Sequence, residues 1–257
     1  MFGFGKKNNS NIGNIMNTVQ SVAKDTINRA SSTGKVVLTK AEESLERYIV
    51  NLKKENNVDL GKHRARVFVV MDRSGSMSSL YRNGYVQDVL TRLLPLALKF
   101  DDNGELEVYV FNGNCTKMPA MTRENYENYV EEKIMRKGYG PSGGTSYAPA
   151  IKQTISDYND GSAYPAFGIF ITDGANDDRY ETDNAVRNSS KYKIFYQFVG
   201  IGGERFDYLQ KLDDLSGRAV DNTAFIKVSD FSKLSDDELY AKLLEQYPAW
   251  LKAMNIN

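Results

Sequence analysis

Five side chains in three separate stretches form a candidate set of hard oxygen donors. The stretch Val67-Phe-Val-Val-Met-Asp72-Arg-Ser74-Gly-Ser76 puts one carboxylate and two hydroxyls at alternating positions directly after an apolar run. Gly75 permits a turn there, so Asp72, Ser74 and Ser76 can converge if the loop folds back. Downstream, Gly143-Gly-Thr145-Ser146 offers a hydroxyl in a Gly-rich loop, and Phe167-Gly-Ile-Phe-Ile-Thr-Asp173-Gly174 offers a second carboxylate after a second apolar run. Such donors suit Mg2+ and serve soft metals poorly; the residue types do not separate Mg2+ from Mn2+ or Ca2+.

Two strands, expected over Arg64–Met71 and Phe167–Thr172, must deliver the carboxylates at their carboxyl ends. Between them the pattern predicts a buried helix from Val86 to Phe100 containing Pro95, a strand from Leu106 to Phe111, a helix capped by Thr122 and running to about Met135, and a helix from Thr145 to Tyr158. After the polar loop Gly174 to Thr182 come a short helix, a strand over Lys193–Ile201, a helix over Tyr208–Leu215 and a strand over Ala224–Val228. Ser235-Asp-Asp-Glu238 is a capping box opening a C-terminal helix that Pro248 should interrupt. This alternation predicts an α/β domain with a mainly parallel central sheet and helices on both faces.

The order Asp-x-Ser-x-Ser, then Thr, then Asp, each on a loop, resembles the metal-ion-dependent adhesion site of von Willebrand factor A (vWA) domains. Arg64 to Met77, Gln87 to Asp102, Phe198-Val-Gly, Phe206 to Leu215, Gly217 to Asn222 and Leu234 to Leu251 resemble more narrowly the cytoplasmic bacterial vWA proteins associated with tellurium (toxic-cation) resistance. The resemblance covers about residues 64 to 254. It implies a Rossmann-like sheet and metal held by Asp72, Ser74, Ser76, Thr145 and Asp173, with the serines and in one state the threonine bound directly and the aspartates often through water. It also implies a role in protein interaction, as an adaptor in a tellurium-resistance or stress response; with no complete catalytic constellation in the sequence, an enzyme is not expected. A carboxylate from a protein partner would suit the remaining coordination position. Tyr81 and Arg82 after the first loop, and Tyr139 and Tyr147 flanking the second, are candidates for the rim of the binding face, with ordinary surface placement the equal alternative. Asp177 and Asp178 are candidates for a supporting shell, a partner contact or another cation, against the plainer expectation of a solvated acidic loop.

The domain is expected over 64–230, with a C-terminal helix over 231–257 packed on it. Before it lie an extension over 1–35, with Ser31–Lys35 as a linker, then a helix and linker over 36–63 opened by a capping box at Thr39. Residues 12–30 have one apolar face, but the polar face is rich in Asn, Ser and Thr instead of Lys, so packing on the protein is favoured over contact with a membrane surface.

Lys and Arg together number 33, as do Asp and Glu, which argues against bulk electrostatic binding to nucleic acid. With a single cysteine, Cys115, there is no internal disulfide, no Cys-rich zinc site is expected, and the thiol reads as buried or half-buried. No apolar run approaches a membrane span, the amino terminus lacks an apolar signal core and the myristoylation pattern is absent, so a cytoplasmic location is expected. The competing enzyme reading is an Mg2+-dependent phosphohydrolase using Asp72 and Asp173, but the position for its general acid holds Ser74. Gly140-Pro-Ser142-Gly-Gly144 has the letters of a nucleophile elbow without a preceding strand, and the lone histidine, His63, comes before that serine in a Lys/Arg-rich loop expected to be solvated.

Overall fold

The computed structural model describes residues 34–54, 59–174 and 176–256. The expected helix over 12–30 lies outside the described residues.

Six strands form one sheet: β1 (Arg66–Asp72), β2 (Glu107–Phe111), β3 (Cys115–Lys117), β4 (Ala166–Thr172), β5 (Ile194–Ile201) and β6 (Thr223–Val228). Their spatial order is β3-β2-β1-β4-β5-β6, and every pairing is parallel except β2 with β3. The chain passes from β1 outward to β2 and later returns to place β4 on the other side of β1. The order therefore reverses between β1 and β4, where open α/β sheets form clefts beyond the strand carboxyl ends. Asp72 closes β1, and Asp173 follows the last residue of β4.

Alternation along β1 divides the core. Val67, Val69 and Met71 face one apolar layer, and Phe68 and Val70 face the other. The first layer contains residues from α1 (34–54), α3 (Tyr85–Phe100), α7 (Asp236–Leu244) and α8 (Tyr247–Ala253). The second contains α4 (Ala148–Tyr158), α5 (Arg179–Ser189) and α6 (Asp207–Asp213). Gly168 on β4 stands opposite Phe68 in register, and a Cβ there would come within 2.2 Å of the Phe68 ring. This close approach lets an aromatic ring lie across the sheet beneath the cleft.

Several boundaries differ from those expected. Residues 34 and 35 are helical and Thr39 lies inside α1, because Leu38 and Ala41 already belong to the face buried against the core. The expected helix from Thr122 to Met135 is reduced to a π-helical turn, Val130–Met135. Thr122 and Asn125 engage the local backbone instead, with Thr122 N–H donating to Asn125 Oδ1 at 2.8 Å. Strand β3 was not anticipated, since three residues are too few to show a period. The second capping box forms at Ser235 and Glu238, and Pro248 sits in the first turn of α8, where its missing N–H costs nothing.

Candidate metal centre

Asp72 is fully buried, yet both carboxylate oxygens are engaged only by neutral groups. Ser74 N–H donates to Oδ1 at 2.7 Å and the Thr172 hydroxyl to Oδ2 at 2.7 Å. Neither Asp72 nor Asp173 has a Lys or Arg nitrogen within ion-pair distance among the described residues. Burial raises the Asp72 carboxyl to about 6, and the neighbouring Asp173 charge acts in the same direction, while the hydrogen bonds partly oppose them. A desolvated carboxylate beside a second acid, with no described Lys or Arg paired to it, is relieved either by taking up a proton or by a bound positive ion.

The remaining candidate residues lie on three loops that bond to one another. Ser74 is buried and Ser76 exposed, with their Oγ atoms 3.0 Å apart. That is a hydrogen bond in the protein alone. It is also about the edge of an octahedron with metal–oxygen distances of roughly 2.1 Å, the size Mg2+ prefers. Thr145 is buried on the second loop. Gly75 N–H donates to Gly143 O at 3.2 Å and Ser142 N–H to Arg73 O at 2.8 Å, tying the first loop to the second. Thr145 N–H donates to Asp177 Oδ2 at 2.8 Å and Asp177 N–H to Thr145 O at 2.7 Å, tying the second to the third. The three loops are thus held together by backbone bonds. Among the described residues no three His, Cys, Asp or Glu side chains are grouped so as to hold a metal ion, and the candidate set is instead rich in hydroxyls. Two carboxylates and three hydroxyls fit a hard divalent cation in donor type and in charge.

The proposed rim is corrected in part. Tyr81 is buried, its hydroxyl donating to the Asp72 carbonyl at 3.0 Å, because α2 (Ser78–Arg82) turns it under the loop while Arg82 stays exposed. Tyr147 is also buried; its hydroxyl pairs with that of Thr172 at 3.1 Å. Both are supports beneath the site. Tyr139 remains half-buried beneath the Arg73 guanidinium, 5.7 Å from its ring centre. Asp177 and Asp178 are not merely a solvated loop. Asp178 accepts from Tyr147 N–H at 2.9 Å and Ala148 N–H at 3.0 Å, closing the start of α4, so that helix begins at Ala148 and not at Thr145.

The hydroxyl chain Tyr147–Thr172–Asp72 escaped the sequence reading. Its one sequence signal is a threonine ending an otherwise apolar strand. Beyond Ser76 and Asp173 a cleft of about 440 Å³ opens, lined also by Gly174, Arg179, Phe206 and Tyr208. Gly174 has a φ of +108° and would meet Phe206 at 2.9 Å if it carried a Cβ, so glycine serves both the turn and the packing of the cleft wall.

Comparison with known proteins agrees with this geometry. Residues 64–257 match the vWA-TerF-like family, described as the vWA found in the TerF C terminus. The chain belongs to this family. It is 40% identical over 196 residues to the uncharacterized protein YcbR of Bacillus subtilis (strain 168), covering 75% of this chain and 80% of the relative. A von Willebrand factor type A structure from Catenulispora acidiphila superposes with a TM-score of 0.52 at 16% identity, over 71% of this chain and 43% of the other. Proximal thread matrix protein 1 of mussel byssus, with a zinc-occupied MIDAS motif, superposes with a TM-score of 0.50 at 18% identity, over 70% of this chain and 48% of that one. The domain is therefore a Rossmann-like vWA domain of the TerF type.

Proposed function

We propose that this chain is a metal-dependent protein-interaction module, an adaptor in a tellurium-resistance or related stress response. The observation that carries the reading is the buried Asp72 carboxylate, with no Lys or Arg at ion-pair distance among the described residues, at the foot of a hydroxyl-lined opening. Asp72, Ser74, Ser76, Thr145 and Asp173 would hold a divalent cation, with Mg2+ the first candidate. The bound ion would supply a Lewis-acidic point of attachment for a carboxylate of a partner protein. The chain's own residues prepare that attachment. Thr172 and Ser74 N–H fix the orientation of Asp72, Asp177 fixes Thr145, and the exposed Ser76 leaves the opening accessible to a partner side chain. The family match supports the interaction role, and proximal thread matrix protein 1, a fold neighbour with a zinc-occupied MIDAS motif, supports a divalent ion in general. No described helix is long and apolar enough to cross a membrane.

The phosphohydrolase alternative is poorly served. Both Asp72 carboxylate oxygens already accept hydrogen bonds, and residue 74 is a serine, which cannot act as general acid near neutral pH. The test is thermal unfolding in EDTA and then in millimolar Mg2+, Mn2+ or Ca2+, for the wild type and Asp72→Ala. A midpoint that rises with metal only in the wild type supports the reading, because a ligand specific for the folded state must stabilise it. Indifference of both proteins to all three ions removes it. In the host, a chromosomal Asp72→Ala allele should reproduce the tellurite sensitivity of a deletion; a deletion without such sensitivity removes the stress assignment.

A further inference from the structure

At the opposite pole of the sheet, the starts of three adjacent strands bring three cations around one pocket. Lys62 and Arg64 precede β1, Lys193 precedes β5, and Ala163, Tyr164 and Pro165 precede β4 between them. Arg66 N–H donates to Pro165 O at 2.9 Å and Ala166 N–H to Lys193 O at 2.8 Å, which locks the three segments side by side. The pocket has a volume of about 370 Å³, and Met254 and Ile256 close its far wall. Asn255, between them, has a φ of +54°, one of two non-glycine residues in the left-handed region among the described residues. That conformation turns the chain back after α8 and places the wall.

Among the described residues, no carboxylate side chain lines the pocket. Nor do Lys62, Arg64 and Lys193 form an ion pair with any carboxylate among the described residues. Of the flanking acids among the described residues, Asp59 pairs with Lys53 at 2.6 Å and with the Gly61 N–H, the Lys62 charge acting on it only as a lesser influence, and Asp160 pairs with Arg66 at 2.7 Å. All three side chains are exposed; the Arg64 guanidinium donates to the His63 carbonyl at 3.1 Å and the Lys193 ammonium to the Ala163 carbonyl at 3.4 Å, so both keep donors for a ligand. Facing them is an apolar wall of Pro165, Met254 and Ile256 with Tyr164, whose ring is unusually exposed for its size at 43%. A cationic end, a flat aromatic surface and a volume within the range of small-ligand sites together describe an amphipathic anion.

We infer that this pocket binds a nucleoside diphosphate or a closely similar phosphate-bearing aromatic molecule, with the phosphates on Lys62, Arg64 and Lys193 and the ring system against Tyr164. The site is remote from Asp72 and needs no metal. It lies where α8 meets the sheet, so occupancy would stiffen the carboxyl-terminal end of the chain against β1, β4 and β5.

The test is titration calorimetry of the full chain with ADP, in EDTA and at constant ionic strength, with inorganic pyrophosphate as the ring-free probe. The expected result is saturable ADP binding with a Kd of about 0.1 mM or tighter, and pyrophosphate weaker by about fivefold or more. Arg64→Ala combined with Lys193→Ala should weaken ADP by about tenfold or more. Tyr164→Ala should weaken ADP toward pyrophosphate and leave pyrophosphate unchanged. Asp72→Ala should bind ADP as the wild type does. Absence of ADP binding, or a double variant that folds with an unchanged midpoint and binds equally well, overturns the site. Equal affinity for pyrophosphate and ADP, indifferent to Tyr164→Ala, overturns the aromatic ligand. Loss of ADP binding in Asp72→Ala would move the phosphate to the other pole and overturn the proposal too.

Discussion

Strand β1 has a buried ionisable residue near each end, and the two have opposite surroundings. His63, just before the strand, is packed edge-on against Phe100 and Tyr247, and its Nε2 pairs with the Tyr247 hydroxyl at 2.9 Å. Asp72, at the other end, is surrounded by hydroxyls and backbone, with a second carboxylate nearby and an opening to solvent through Ser76. Desolvation shifts both toward the neutral form: His63 down to about 4, with Arg64 adding to the effect, and Asp72 up to about 6. For the histidine, neutrality is the finished state, because an aromatic cage and one hydroxyl satisfy it. For the aspartate it is a holding state, because its companions are donors without a charge. Burial alone therefore does not mark a functional group; what surrounds the buried charge does.

The largest expected effect lies at Asp72. Asp72→Asn should abolish the thermal response to divalent metal, a loss of about 100-fold or more in affinity, measurable by calorimetry. In EDTA at pH 8 the same variant should be at least as stable as the wild type, by up to about 2 kcal/mol, since it removes a desolvated charge. A strongly destabilised variant would make Asp72 structural, like His63. In the wild type, metal affinity should fall by about tenfold per pH unit below about pH 6, as protons compete for the carboxylate.

The next effect is on stability against pH, where the two residues act oppositely. His63, lowered in the fold from 6.5 to about 4, contributes stability that is complete above 6.5 and lost as pH falls to about 4, on the order of 3 kcal/mol. Asp72, raised from 3.8 to about 6, contributes stability at low pH that is lost as pH rises to about 6, of similar size. The two slopes oppose each other in nearly the same window. Asp101 and Asp213, also raised to about 6, are common to all variants, so differences between proteins are read instead of absolute slopes. Urea unfolding from pH 4 to 7 in EDTA should rise more steeply with pH in Asp72→Asn than in wild type, and fall more steeply in His63→Phe. Parallel curves for all three proteins would erase the comparison. Saturating Mg2+ should remove the Asp72 slope alone.

Two smaller changes sharpen the contrast. Thr172→Val strips the hydroxyl from Asp72 Oδ2 and from Tyr147, and should cost about 1–2 kcal/mol of stability and several-fold in metal affinity. Tyr247→Phe removes only the partner of His63 and should cost about 1 kcal/mol with metal affinity unchanged. If Tyr247→Phe altered the metal response, the two ends of β1 would not be independent.

The sequence conveyed the sheet and the loop positions of Asp72, Ser74, Ser76, Thr145 and Asp173 because both are local signals: apolar runs that end in Asp72 and Asp173, and short polar loops. What it did not convey depends on distant segments. His63 read as solvated because its neighbours are Lys62 and Arg64, yet α8, nearly two hundred residues later, supplies the Tyr247 that buries it. Tyr81 and Tyr147 read as rim residues because tyrosine suits both surfaces and interiors; the short turns that direct them inward have no period to detect. Asp177 and Asp178 read as a charged loop because backbone N–H groups at 145, 147 and 148 carry no sequence label.

The two margins of the sheet bear on how a partner can attach. On one side β3 is only three residues long and runs antiparallel, and on the other β6 carries Lys227, whose ammonium lies 5.5 Å over the Phe206 ring. A brief strand and a lysine along the border make poor templates for an incoming strand, since each would leave backbone groups or a charge without solvent. The sheet is thus guarded against being lengthened by another chain, whether a second copy or an aggregating fragment. The loops at its poles, and not its margins, carry both of the proposed sites.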